Sequence, residues 1–142
     1  MATVSGLNRL AEIYVPDGSD PVEALRRTTH LAVGAHPDDV EIMAQHGILA
    51  CYQQSDLHFT AVIAANGAGS PRNGSYADAS DTDLIRLRRR EQLQAAEAGA
   101  YSAVVLLNHS SADIKSTDIA DTSPLRNDLL QLLALTRPAG LY

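Results

Sequence analysis

The stretch Leu31-Ala32-Val33-Gly34-Ala35-His36-Pro37-Asp38-Asp39-Val40-Glu41 decides the reading of this chain. Leu31 to Ala35 is a short apolar run of the kind that a strand buried on both faces requires. Pro37 disfavours helical geometry at His36 and is itself suited to open a helix, so the chain is predicted to stay extended through His36 and to turn helical just after it. The same alternation continues outward. Leu57 to Ala65 and Ala103 to Leu107 are two further apolar runs, and Asp39 to Gln54 and Thr82 to Gly99, which separate the three, carry apolar residues at helical spacing. Ser123-Pro124 is predicted to open another helix through Thr136, and Asp20-Pro21 a short one through about Arg27, while residues 1–19 are weakly patterned. From the first strong strand onward the order is β-α-β-α-β-α. It implies a parallel sheet covered by helices on both faces, with functional groups gathered at the carboxyl ends of the strands.

The composition narrows the function. With 142 residues, 45% of them hydrophobic and 20% charged, the chain has the size and content of one globular domain. No apolar run approaches the roughly 20 residues that a bilayer crossing needs. Eleven basic against 17 acidic residues give a net charge of −6, which argues against nucleic acid as a partner, because that affinity comes from clustered cations. The single cysteine, Cys51, has no internal partner for a disulfide, and Met1 to Leu10 lacks the pattern of a signal peptide. A cytoplasmic location is the expectation.

The corner after the first strand carries the chemistry. Asp38 and Asp39 fall in the first turn of the predicted helix, where free N–H groups and the helix dipole favour carboxylates, and a plain helix cap is one reading of them. The other reading is a metal site. His36 and Asp39, three apart across the corner, can converge on one cation, and imidazole with carboxylate suits zinc. Asp38 is then left free to act as a general base beside a metal-activated water.

The string His36-Pro37-Asp38-Asp39 resembles the signature of the PIG-L (LmbE-like) family of zinc-dependent deacetylases, which remove acyl groups, usually acetyl, from N-acylated amino sugars such as N-acetylglucosamine and related glycans. The resemblance implies a Rossmann-like three-layer α/β/α fold with a mostly parallel sheet and a single deacetylase domain over 1–142. It also implies zinc, or another divalent transition metal, on His36 and Asp39, with Asp38 as the catalytic base. The family's signature has Glu directly after the two aspartates; here Val40 intervenes before Glu41. Its Thr-x-Gly-Glu loop corresponds to Ala65-Asn66-Gly67-Ala68-Gly69-Ser70, where the Thr and Glu are missing. Asn66 can still bond a sugar hydroxyl, or simply form a turn. Pro71 to Asp83 reads as a surface loop that either closes over a ligand or does not.

The family's Arg-x-x-Glu corresponds to Arg88-Arg89-Arg90-Glu91. Arg88 and Glu91 fall on the helical stripe of Leu84, Leu87, Ala95 and Ala98, whereas Arg86 and Arg90 point away. Inward Arg88 and Glu91 form a mutual brace, or Arg88 reaches the substrate. Of the remaining histidines, His46 lies about 10 Å from Asp39 along the helix and is read as packing. His30 and His58 are at the amino edge, and His109, after the third strand, reads as a surface loop residue.

Catalytic zinc sites usually carry three protein ligands, and two good candidates are present. In the family a His-x-x-Asp-x-His segment after a later strand supplies the third ligand and an oxyanion stabiliser. The family sequence leading up to that segment resembles Arg137-Pro138 and the residues after it, so the expectation is a domain truncated at its C-terminus. Such a domain would be poorly active as 142 residues and prone to form a homo-oligomer through an exposed sheet edge. Two rival readings stay open: a metal-free α/β binding or interaction module that keeps the corner only structurally, and a Mg²⁺ site for phosphate chemistry. The second is disfavoured by His36 and by the lack of a glycine-rich phosphate loop.

Overall fold

The computed structural model describes residues 4–142, so the first three residues of the stretch Met1 to Leu10 lie outside it. One five-stranded sheet organises the chain. Its strands are β1 (Glu12–Tyr14), β2 (His30–Gly34), β3 (Phe59–Ala65), β4 (Ala103–His109) and β5 (Gly140–Leu141), in the spatial order β1-β4-β3-β2-β5. β2, β3, β4 and β5 run parallel, and β1 is antiparallel to β4. The three central strands are those expected from their apolar runs, and all seven residues of β3 are buried. The fold is the three-layer α/β arrangement expected.

Period-two alternation assigns the strand side chains to two cores. Ala61, Ile63, Val104 and Leu106 pack on one face with Val40, Cys51, Ala96 and Tyr101. Val62, Val105 and Leu107 pack on the other with Ala24, Leu25 and Leu132. The first face is covered by α2 (Asp39–Met43), α3 (Gln45–Cys51) and α4 (Asp81–Ala98), the second by α1 (Pro21–Arg26) and α6 (Ile119–Thr136). A short helix, α5 (Ser111–Lys115), follows β4.

Four local expectations are corrected. The segment 39–54 is two helices, because Ala44 (φ −111°, ψ 19°) breaks the helical run. The last long helix starts at Ile119 rather than at Pro124: Asp118 accepts the Ala120 N–H at 2.8 Å, and Pro124 lies inside the helix. β1, α5 and the brief turn Gly74–Tyr76 occupy stretches read as unpatterned or loop. α4 starts at Asp81, one residue before the expected Thr82, at a reciprocal cap in which Ser80 Oγ accepts the Asp83 N–H and Asp83 Oδ2 accepts the Ser80 N–H. In contrast, Asp20 caps α1 as expected, accepting from Val22 and Glu23 at 2.9 and 3.1 Å.

The topology locates the site. The chain steps from β2 to β3 to β4 in one direction, then crosses back to place β5 on the far side of β2. Ligands of open α/β sheets bind at the carboxyl ends of strands beside such a reversal, and His36 follows the carboxyl end of β2. Among the described residues no helix is long and apolar enough to cross a membrane.

Candidate active site at the carboxyl end of β2

Gly34 ends β2 in tight contact with α2. A Cβ there would lie 3.0 Å from Val40 Cγ2 and 3.1 Å from Asp39 Cβ. The turn after Gly34 is closed from within. The His36 backbone N–H donates to Asp39 Oδ2 at 2.9 Å, and His36 Nδ1 lies 3.6 Å from the same oxygen. The Asp39 carboxylate is thereby fixed to the His36 peptide, with the imidazole close by. Asp38 is the residue before α2, and it adopts the left-handed conformation (φ 77°) with no cap bond from its side chain. Asp tolerates this region better than most residues, at a cost of about 1–2 kcal/mol. The plain cap reading therefore fails at Asp38, whose carboxylate is turned to solvent at 60% exposure.

Arg88 faces that carboxylate from α4. Its Nη1 lies 3.6 Å from Asp38 Oδ2 and 2.9 Å from Glu91 Oε2, and its Nε donates to Ser70 Oγ at 3.1 Å. The inward pair expected from helical spacing is thus present, and it also engages the loop after β3. Arg86 and Arg90 are exposed, as expected. The fully buried stripe of α4 is Leu84, Gln92 and Ala96, so Arg88 and Glu91 flank it and Ala98 is exposed. Gly67 (φ +83°) makes the loop fit: a Cβ there would lie 2.9 Å from Arg88 Cβ.

Two shallow grooves share Pro37, Asp38 and Arg88 as a common wall. One, of about 240 Å³, also involves His36, Gly69 and Ser70. The other, of about 290 Å³, runs past Glu41, Glu91 and Gln92. A larger cavity of about 370 Å³ lies elsewhere, near Arg27, His58 and Glu97. Its charged groups are engaged: Arg27 pairs with Asp17 at 2.6 Å, and Glu97 accepts from Tyr14 at 2.5 Å.

The structure thus brings His36, Asp38, Asp39 and Arg88 together. Asn66 stands outside both grooves; its Oδ1 accepts the Ala68 N–H at 3.0 Å and shapes the loop. His109 is corrected from a surface loop residue to the last residue of β4, with its side chain 11% exposed and its Nε2 2.7 Å from the buried Asp128 Oδ2 of α6. Asn8 donates to both oxygens of Asp128, so this cluster fastens the amino-terminal segment to the sheet face opposite α4. His46 and His30 pack against the Tyr142 ring, consistent with structural roles. Apolar periodicity does not single out Gln92, although its place four residues after Arg88 and eight after Leu84 marks it as inward.

Among the described residues no group of three or more His, Cys, Asp or Glu side chains is gathered for a metal. His36 and Asp39 form a pair whose nitrogen and oxygen donors suit a divalent transition metal in chemistry and proximity.

The chain is thus a three-layer α/β domain with a His-Pro-Asp-Asp corner at the sheet's reversal point. The family model for PIG-L, described as GlcNAc-PI de-N-acetylase, matches residues 31–142, and the chain belongs to that family. No curated protein and no solved structure matches the chain.

Proposed function

We propose that this domain is the catalytic portion of a zinc-dependent N-deacetylase acting on an N-acetylated amino sugar or a related glycoconjugate. His36 and Asp39 hold the metal, with a third ligand from outside the described residues, and Asp38 is the catalytic base. The observation that carries the reading is the division of labour within one turn. Asp39 is bonded back to the His36 N–H, whereas Asp38 is held in a left-handed conformation with its carboxylate exposed and 3.6 Å from Arg88 Nη1.

Zinc at such a corner supplies polarisation of the amide carbonyl and a lowered pKa for water at the site. Asp38 accepts the proton of the attacking water and returns it to the departing amine nitrogen, so amide and water become acetate and free amine. Arg88 is fixed by Glu91 and Ser70, and its guanidinium lines both grooves, which suits it to hold a sugar hydroxyl or an anionic part of the substrate. Asn66, outside both grooves, shapes the same loop through its bond to the Ala68 N–H.

Acetate release from N-acetylglucosamine glycosides by the full-length protein tests the proposal. Acetate and free amine are expected in equal amounts, abolished by a chelator and restored by zinc. Absence of both bound zinc and acetate release across a panel of N-acyl sugars would favour the metal-free binding module.

A further inference from the structure

Asp38 is held from behind by groups that the family signature does not include. Its backbone N–H donates to Gln92 Oε1 at 3.3 Å. Gln92 Nε2 donates to Glu41 Oε1 at 2.8 Å, and the Tyr101 hydroxyl donates to the same oxygen at 2.8 Å. The direction of the chain is forced. A backbone N–H only donates, so Asp38 takes the Gln92 Oε1 and leaves the amide nitrogen of Gln92 to donate to Glu41 Oε1. Burial, with the Glu41 carboxylate beside it, pushes the Tyr101 phenol far above its ordinary range, so it remains a donor. Gln92 is 2% exposed and Tyr101 3% exposed, which gives the relay a rigid setting. The Tyr101 ring is seated edge-on against Phe59, with centroids 4.9 Å apart.

We propose that Gln92 is a positioning residue for Asp38, and that the relay Tyr101–Glu41–Gln92 holds the Asp38 peptide in the left-handed conformation that aims its carboxylate into the groove. This rests on Asp38 being the base. A non-glycine residue at φ 77° reverts to commoner backbone geometry unless its surroundings over-determine it, and the Gln92 bond is the constraint that reaches Asp38 from another element through its own peptide. Gln92 also lines the groove beside Asp38 and Arg88, so its amide fixes the base without blocking it. Displacement of a reacting group by about 1 Å can cost about 100-fold in rate.

The test compares wild type, Gln92→Met and Tyr101→Phe in the full-length protein. Gln92→Met keeps length and burial but removes both hydrogen bonds, and Tyr101→Phe keeps the ring packing while releasing Glu41. Expected for Gln92→Met are a fall in kcat of about 10- to 100-fold with KM and bound zinc unchanged, and faster hydrogen exchange at the Asp38 amide. Tyr101→Phe is expected to give a smaller fall, about threefold, on the scale of one hydrogen bond. Unchanged kcat in a folded Gln92→Met protein would overturn the positioning role while leaving the deacetylase reading intact. Unchanged exchange at the Asp38 amide would overturn it even in a wild type that releases no acetate, an outcome that separately refutes the deacetylase reading. Should Gln92→Met fail to fold, an undiminished kcat in Tyr101→Phe would overturn the relay.

Discussion

Replacing Asp38 by Asn is expected to lower kcat for acetate release by about 10³-fold while leaving the fold and the bound metal in place. Asn is the informative choice. It is one of the few side chains that tolerates the left-handed region as readily as Asp, so the φ of 77° is retained at little cost. Its backbone N–H still reaches Gln92, and the 60% exposed side chain gives up no buried contact. The expected stability change is within about 0.5 kcal/mol. What is lost is the ability to accept a proton, which contributes about 10²- to 10⁴-fold in general-base catalysis. Steady-state kinetics, zinc analysis and a thermal melt on one preparation would check this. If Asp38→Asn turned over as fast as wild type at equal zinc content, Asp38 would not be the base.

The second large effect is expected at Arg88. Removing it as Arg88→Ala leaves Asp38 and Glu91 facing a groove without their shared cation, and releases Ser70, which fixes the loop after β3. A fall in kcat/KM of about 100-fold is expected if Arg88 also contacts substrate. The stability cost should be only about 1 kcal/mol, because Glu91 is 41% exposed and solvent screens much of the pair. Arg88→Lys restores the charge without the guanidinium geometry that bonds Glu91 and Ser70 together, so partial recovery is expected. Kinetics set beside denaturant melts separate the brace from the substrate contact. Activity lost only in proportion to the unfolded fraction would reduce Arg88 to a structural brace.

The central strands are legible in the sequence because each is apolar on both faces, the pattern that burial between two helical layers demands. β1 is not, because three residues with one buried side chain, Ile13, give alternation nothing to repeat. The break at Ala44 is equally silent. The residues around it are tolerated in helices, and no proline or cap marks the interruption; just beyond it, Gly47 receives the Tyr142 ring so closely that a Cβ would lie 2.7 Å from it. Pro124 misleads because proline favours a first helical turn, whereas an earlier cap at Asp118 is available and Ser123 Oγ donates to Ile119 O just before the proline.

At the site, spacing brings Arg88 and Glu91 to one side of α4, where they flank the buried stripe, whereas the corner is open to two readings until the family resemblance is added. The left-handed turn at Asp38 is not legible, since it depends on an acceptor 54 residues away in α4. Gln92 shows the limit of reading a stripe by its apolar members. A polar residue at a buried position is inward because partners wait for it, and those partners, Glu41 and Tyr101, are distant in sequence. His109 is misplaced by sequence for the same reason, its partner Asp128 being supplied by α6.

The central claim is that His36 and Asp39 form a metal-binding corner that serves hydrolysis. It is tested most directly by measuring bound zinc and acetate release on the same samples of full-length wild type and His36→Ala. The account predicts about one zinc per wild-type chain, a loss of at least about tenfold in zinc affinity for His36→Ala, and acetate release that falls with it. Equal zinc affinity in the two proteins, with acetate release undiminished, would contradict it.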